Sequence, residues 1–224
     1  MIRNFFKRWP ALYYTAVIVF GPTLLVGLNP KRFLRRYGEE GKIVNLGSGP
    51  RVLSPEIINV DIEKYEGVSI ISDLADLPFE DGSISRIICD NVLEHVKDTA
   101  RAVGEMKRIL ETGGFAYVST PFLYPFHSSP SDYYRWSEEG LRAIFSEFEM
   151  VELGVRSGPF SALNTWLVYF FASLFSFGSE RLFWILLDMF LILFFPVKFL
   201  DFLVLWIRPT RHLAAVYYCV VKKR

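Results

Sequence analysis

Residues 43–61 begin Ile43-Val44-Asn45-Leu46-Gly47-Ser48-Gly49-Pro50-Arg51 and close on Ile57-Ile58-Asn59-Val60-Asp61. An apolar run breaks into two glycines one residue apart, and a second apolar run ends on a carboxylate. The pattern predicts a strand, a glycine loop and a second strand tipped with an acid. Glycine lets the backbone turn tightly and approach a ligand that a Cβ would exclude. An acid at the tip of the neighbouring strand can accept hydrogen bonds from both hydroxyls of a ribose. Gly47, Ser48, Gly49 and Asp61 are therefore candidate nucleoside-binding residues.

Working outward, short apolar runs and one amphipathic helix alternate. Val68–Ile71, Ile84–Cys89 and Phe115–Ser119 read as further buried strands. Lys97–Leu110 reads as a helix with Val103, Met106, Ile109 and Leu110 on its apolar face. Gly113-Gly114 is expected to terminate it. Ser137–Phe145 reads as a helix capped by Ser137, with Glu138 and Glu139 in its first turn. Phe148–Val155 and Leu213–Val221 read as two last strands. Strands alternating with helices imply a parallel α/β sheet covered on both faces.

The 224 residues carry a formal charge of +1, so no polyanion footprint exists and nucleic acid is not an expected partner. Hydrophobic residues make up 51% and aromatics 17%, more than a soluble domain of this size needs. That excess sits at the two ends of the chain. The two cysteines, Cys89 and Cys219, lie in apolar runs and read as buried thiols in a reducing compartment. With no CxxC or Cys/His cluster, and with His95, His127 and His212 scattered, no metal site is expected.

Residues 72–83, Ser-Asp-Leu-Ala-Asp-Leu-Pro-Phe-Glu-Asp-Gly-Ser, precede Asp90-Asn91-Val92-Leu93-Glu94-His95-Val96 and later Leu110-Glu111-Thr112-Gly113-Gly114. In order and spacing these resemble the motifs of class I S-adenosylmethionine-dependent methyltransferases, in particular their small-molecule "type 11" branch, over residues 42–155. The resemblance implies a Rossmann-like sheet with helices on both faces and S-adenosyl-L-methionine as cofactor. It implies that Gly47 and Gly49 wrap the methionine part and that Asp61 holds the ribose. Asp73 would accept from the adenine amino group with the backbone of Leu74 beside it, and Asn91 would line the cofactor and substrate mouth. For Asp73 and Asn91 the plain alternative is side-chain capping of turns. His95 and Glu94, although characteristic of the branch, read as packing residues near the cofactor.

Two departures stand out. Asn45 replaces the family's common acid and Arg51 its usual third glycine. The short stretch between Gly49 and Asp61 also predicts that the first crossover helix is short or absent, with the N-terminal segment as candidate cover. The same features exclude the nicotinamide fingerprint, which needs a third glycine opening a full helix.

The loop after the fifth strand, Thr120 to Trp136, should face the acceptor, because ligands bind beyond the carboxyl ends of strands in such sheets. His127 is the candidate catalytic base, since histidine titrates near neutrality. Tyr133, Tyr134 and Arg135 either line a substrate pocket that grips an anionic group or pin the loop to the following helix.

Four segments are expected: residues 1–37, hydrophobic, basic and membrane-associating; 38–159, the methyltransferase core; 160–207, a hydrophobic hairpin insert; and 208–224, the final strand. Residues 1–37 resemble a signal peptide only in their basic start and apolar run, because no small-residue cleavage site follows. Phe160–Phe177 is uncharged, and Leu182–Phe195 contains only Asp188 before Pro196. Cut at Pro196, that helix would be about 21 Å long, short of the ~30 Å hydrocarbon core. Spanning as one segment, Leu182–Ile207 would have to bury Asp188, with Lys198 and Asp201 nearer one end, and a charge costs about 2.5–3.5 kcal/mol at mid-bilayer. A shallow hairpin is therefore expected, on a membrane-associated enzyme whose catalytic domain faces the cytoplasm. The expected partners are the lipid bilayer and a small-molecule or lipid-linked acceptor. The rivals are a soluble acceptor with the insert only as anchor, a non-catalytic membrane scaffold, and a soluble oligomer burying the insert in its interface.

Overall fold

A computed structural model describes residues 19–50, 52–127 and 130–224. The expectations for residues 1–18 and for Arg51 lie outside the described residues. The chain forms two compact units, one of residues 27–122, 126–156 and 216–224, the other including 19–26, 123–125 and 157–215.

The first unit is built on a seven-stranded sheet. Its strands are β1 (Ile43–Leu46), β2 (Ile58–Asp61), β3 (Ile70–Ile71), β4 (Ile84–Asp90), β5 (Leu110–Pro121), β6 (Glu149–Ser157) and β7 (Val216–Lys222). Their order is β3-β2-β1-β4-β5-β7-β6. The pairs from β3 through β5 are parallel, and β7 runs antiparallel to β5, with Val118 opposite Cys219. Strands buried on both faces need uninterrupted apolar runs, and Ile84, Ile87, Ile88 and Cys89 of β4 are all fully buried. Burial pushes both thiols up, Cys219 to about 12, which makes them inert core side chains.

Helix α1 (Pro30–Tyr37) belongs to this unit, which begins at residue 27. Its basic residues suggested a membrane flank, but Phe33 and Leu34 turn inward. The Phe33 ring lies 5.7 Å from that of Tyr117, whose hydroxyl donates to the Leu28 carbonyl at 2.9 Å. Among the described residues no helix connects β1 to β2. Instead a groove of about 470 Å³ lies between α1 residues Leu34 and Arg35 and the Leu53–Ile57 loop. Helix α2 (Thr99–Ile109), capped by Asp98, ends earlier than the glycine pair predicted. Leu110 is already extended, and Gly113, at φ 83°, lies inside β5. The glycines therefore bend a strand and do not stop a helix. Helix α3 (Glu138–Ile144) has the expected Ser137 cap, with Ser137 Oγ accepting from the Gly140 N–H at 3.1 Å.

The second unit is helical. α4 (Pro159–Phe175) and α5 (Glu180–Phe194) pack through Val168, Ala172, Leu187 and Phe190. The helical run does not end at Pro196. It tightens into a 3₁₀ segment, Phe195–Leu200, and continues as α6 (Asp201–Val204). Proline near the start of a new turn forfeits only an N–H that has no partner there. The whole run Glu180–Val204 is long and apolar enough to cross a bilayer, whereas the 17 residues of α4 fall short of that length.

Beside this apolar cluster the unit also buries polar side chains. Ser161, Asn164, Thr165, Lys198 and Asp201 are all fully buried, while Phe170, Phe177, Phe202, Leu203 and Trp206 are exposed. The Asp201 carboxylate accepts from the N–H groups of Gly158 (3.2 Å), Phe160 (2.7 Å) and Ser161 (3.2 Å) and from Ser161 Oγ (2.6 Å). It caps the amino end of α4, where unpaired N–H groups and the helix dipole favour an anion. Lys198 Nζ donates to the Gly21 carbonyl and Asn164 Nδ2 to the Pro22 carbonyl, each at 2.7 Å, and Ser161 Oγ accepts from the Leu24 N–H at 2.8 Å. Gly21-Pro22 breaks the helix that precedes it. The buried polar side chains then satisfy the non-helical backbone that follows, which an apolar interior would leave unpaired.

Candidate active site

The carboxyl ends of β1, β2, β3 and β4 gather the residues expected to hold the cofactor. Gly47 (φ 63°) and Gly49 (φ 55°) both adopt the left-handed conformation that favours glycine. A Cβ on Gly47 would come within 2.4 Å of a Val92 methyl carbon, whereas one on Gly49 would meet open space. The first glycine is needed for packing and turn, the second for the turn alone. Asp61 Oδ2 accepts from the Gly49 N–H at 2.7 Å, and Oδ1 from the Glu63 N–H at 2.9 Å. Ser48 donates its backbone N–H to the Val60 carbonyl (3.1 Å), closing the loop onto β2. Asp61 thus shapes the glycine loop, and each of its oxygens keeps a lone pair.

Asn45 is buried and donates to Asn59 Oδ1 at 3.0 Å, a neutral cross-strand bond where the resemblance led to an acid. Asp73 is exposed, and its Oδ1 accepts from the Ala75 N–H at 2.9 Å, with Leu74 buried beside it. Ser72 N–H to the Asp61 carbonyl (3.0 Å) ties that turn to the tip of β2. Asn91 follows β4 at φ 56°, its N–H donating to the Ser119 carbonyl at 3.0 Å. Behind it lies an ion pair absent from the sequence reading. Arg156 clasps Asp90 through both guanidinium nitrogens, one contact measuring 2.9 Å, and reaches Ser119 Oγ at 2.5 Å. A buried pair of this kind fixes the ends of β4, β5 and β6 in one geometry. The only sequence signal for it was a charge at the end of an apolar strand.

Beyond β5, His127 meets Glu94 and His95. The Nε2 atoms of both histidines lie 3.8 Å from Glu94 Oε1. The two rings stand edge to face with centroids 5.1 Å apart. Glu94 is fully buried, neither carboxylate oxygen has a hydrogen-bond partner, and burial raises its carboxyl to about 8. Asp132 Oδ2 accepts from the His127 N–H at 2.8 Å. Burial opposes the Asp132 charge, but bonds from Arg135 and that N–H outweigh it and hold the carboxyl at about 2.

The predicted substrate residues are anchored. Arg135 forks onto Asp132, one contact being 2.6 Å, and donates to the Tyr134 carbonyl. Tyr134 donates its hydroxyl to the Lys97 carbonyl at 2.9 Å, and the Tyr133 N–H bonds the Glu94 carbonyl at 2.7 Å. These contacts pin the loop, the plainer of the two readings, while the Tyr133 and Tyr134 rings remain exposed.

A family model described as a methyltransferase domain matches residues 52–118, which include Asp61, Asp73, Asn91, Glu94 and His95. The chain is 43% identical over 82 residues to an uncharacterized 37.1 kDa transposon protein of Streptomyces fradiae, covering 36% of this chain and 23% of that protein. It is 39% identical over 59 residues to a probable S-adenosylmethionine-dependent methyltransferase of Mycobacterium tuberculosis, covering 26% and 22%. With a demethylmenaquinone methyltransferase of Chlorobaculum tepidum the identity is 29% over 72 residues, covering 32% and 30%. The chain thus spans at most 30% of the length of these relatives. Among solved structures, phosphoethanolamine N-methyltransferase 2 of Haemonchus contortus with S-adenosyl-L-methionine superposes at a TM-score of 0.55, with 15% identity, covering 100% of this chain and 60% of that one. Geranyl diphosphate C-methyltransferase of Streptomyces coelicolor superposes at 0.51, with 13% identity, covering 86% and 76%. These likenesses show a shared fold. The sheet order, the glycine loop closed on an acid and the methyltransferase-domain sequence over residues 52–118 are features this chain shares with class I S-adenosylmethionine-dependent methyltransferases.

Proposed function

We propose that this protein binds S-adenosyl-L-methionine through the Gly47–Gly49 loop, Asp61, Asp73, Leu74 and Asn91. It then transfers the methyl group to a lipid-soluble or lipid-linked acceptor at a membrane surface. The acceptor nucleophile forms a bond to the methyl carbon as the sulfur–carbon bond breaks. The cofactor leaves as the neutral thioether, S-adenosylhomocysteine, and the acceptor's proton passes to solvent. The chain's part is to hold donor and acceptor in line, which removes the entropic cost of their encounter. His127 and the Tyr133 and Tyr134 rings stand on the acceptor loop.

The observation that carries the membrane half of this reading is the inverted helical unit, with Lys198 and Asp201 buried and Phe170, Phe202 and Trp206 exposed. Water punishes that arrangement and hydrocarbon rewards it. The segment leaves the sheet after β6 and returns at β7, its neighbour in the sheet, so both ends belong on one face of a bilayer. The loop after β5 contributes Leu123–Pro125 to the helical unit and His127 to the sheet unit. An enzyme held on the bilayer meets a bilayer-resident acceptor at high effective concentration.

Membranes containing the protein, incubated with radiolabelled methyl donor, should incorporate label into the organic-solvent extract, and Asp61→Ala should abolish it. Label confined to the aqueous phase would mean a soluble acceptor with the helices only as anchor. Cofactor binding without any label would make the chain a scaffold.

A further inference from the structure

Glu94 is the one fully buried carboxylate among the described residues whose two oxygens both lack a hydrogen-bond partner. A buried carboxyl with no hydrogen-bond partner on either oxygen is costly in either protonation state, so the groups facing it are informative. They are two imidazoles, with the Arg135 guanidinium close enough to act on its charge. His95 Nε2 and His127 Nε2 each stand 3.8 Å from Glu94 Oε1, too far for hydrogen bonds, and the three atoms lie within 4.8 Å of one another.

The outer contacts of the two rings differ. His95 Nδ1 contacts the Ser131 carbonyl, which can only accept, so this nitrogen carries the hydrogen. In the neutral ring Nε2 then presents a lone pair toward Glu94. His127 Nδ1 lies 3.6 Å from Asp132 Oδ2 and 3.5 Å from an Arg135 nitrogen, which can only donate, so binding a metal through Nε2 requires Nδ1 to turn its hydrogen toward Asp132. Metal-binding histidines are usually oriented in this way, by a carbonyl or carboxylate on the nitrogen that does not bind.

We propose that Glu94, His95 and His127 form a site for a divalent transition-metal ion of the Zn²⁺ type. Two imidazole nitrogens and one carboxylate are a donor set suited to such ions and leave a coordination position open. Bonds of about 2.0–2.1 Å around one ion place ligand atoms roughly 3.3–3.6 Å apart. The two 3.8 Å separations to Glu94 would close by a few tenths of an ångström, and the widest separation of the three atoms by at most about 1.5 Å. The cation would neutralise the carboxylate that the protein leaves unpaired. The sequence conceals this site because its histidines are 32 positions apart and neither belongs to a recognisable ligand spacing. If the functional reading above is right, the open position suits an oxygen of the acceptor, but metal binding itself does not depend on that reading.

The test uses the full-length protein in detergent, stripped by a chelator and titrated with Co²⁺, whose visible absorption reports its ligands. One Co²⁺ per chain should bind with a visible band, and Zn²⁺ should displace it. Glu94→Gln and His127→Ala should each weaken binding at least about tenfold, because even outer-shell partners of metal ligands cost 10–100-fold. His127 is partly exposed and not part of the core, so His127→Ala decides the matter should Glu94→Gln fail to fold. Circular dichroism and S-adenosyl-L-methionine binding, retained in the variants, show that the fold is intact. Folded protein that takes up no stoichiometric metal, or His127→Ala binding it as tightly as the native chain, overturns the proposal. Metal binding without methyl transfer would leave the site standing and refute only the enzymatic reading.

Discussion

The sheet unit and the helical unit solve opposite problems with the same chemistry. In the sheet unit, apolar strands fill the interior, and the part-buried Asp90–Arg156 pair sits at the strand ends beside the turns proposed to bind the cofactor. In the helical unit the interior holds polar groups beside an apolar cluster. Asp201, Lys198, Asn164 and Ser161 satisfy a helix end and a broken backbone, while phenylalanine, leucine and tryptophan face outward. Composition alone would call both units hydrophobic. Which side chains turn inward distinguishes the two and underlies the proposal that one is organised for water and the other for hydrocarbon.

The strongest way to break this comparison is to remove Asp201. Asp201→Ala orphans three N–H groups at the start of α4 and the Ser161 hydroxyl. Hydrogen bonds to a charged group contribute about 1.5–3 kcal/mol each, not additively, so a loss of about 3 kcal/mol or more is expected. Thermal unfolding in detergent measures it, and an unchanged midpoint would mean that the carboxylate is not a cap.

Asp61→Ala probes the sheet unit. It removes the acceptor that shapes the Gly49 turn and the expected partner of the ribose. A loss of about 1.5–3 kcal/mol corresponds to roughly ten- to a hundredfold in S-adenosyl-L-methionine affinity by calorimetry. Unchanged affinity would remove Asp61 from the site. Asp73→Ala should cost less, since its carboxylate is exposed and already engaged with the Ala75 N–H.

The smallest effect on folding should accompany an informative effect on partitioning. Phe170→Ser, at a 58% exposed position, should change stability by no more than about 0.5 kcal/mol. Yet it should weaken vesicle binding by roughly ten- to a hundredfold, given about 1.5–3 kcal/mol for burying such a side chain. Val151→Ser, at an exposed position in the sheet unit, should leave vesicle binding unchanged. Equal effects of the two would erase the distinction between the units.

Much of this molecule is legible in its sequence. Each of the seven strands lies within a few residues of its apolar run, and the loop from Gly47 to Asp61 closes as its residue types predict. What could not be read depends on tertiary partners. Helix α1 has a basic sequence whose two inward residues matter more than its charge. Pro196 breaks the α-helical bonding pattern without ending the helical run. Lys198 and Asp201 look expensive along a membrane helix until Gly21 and the amino end of α4 are seen to receive them. His95 and His127, given separate roles from their sequence positions, meet at Glu94 only because β4 and β5 are neighbours in the sheet.

The central claim is that the outward face of the helical unit lies in lipid. Cys89 and Cys219 are fully buried, so single cysteines introduced at Phe170, Ile192 and Leu203, and at Val151 in the sheet unit, can carry nitroxide labels selectively. In reconstituted vesicles, labels at the first three should be relaxed by oxygen, which concentrates in hydrocarbon, and shielded from a water-soluble paramagnetic ion. The label at Val151 should respond to the ion. Labels at positions 170, 192 and 203 that respond to the water-soluble ion as position 151 does would contradict the account.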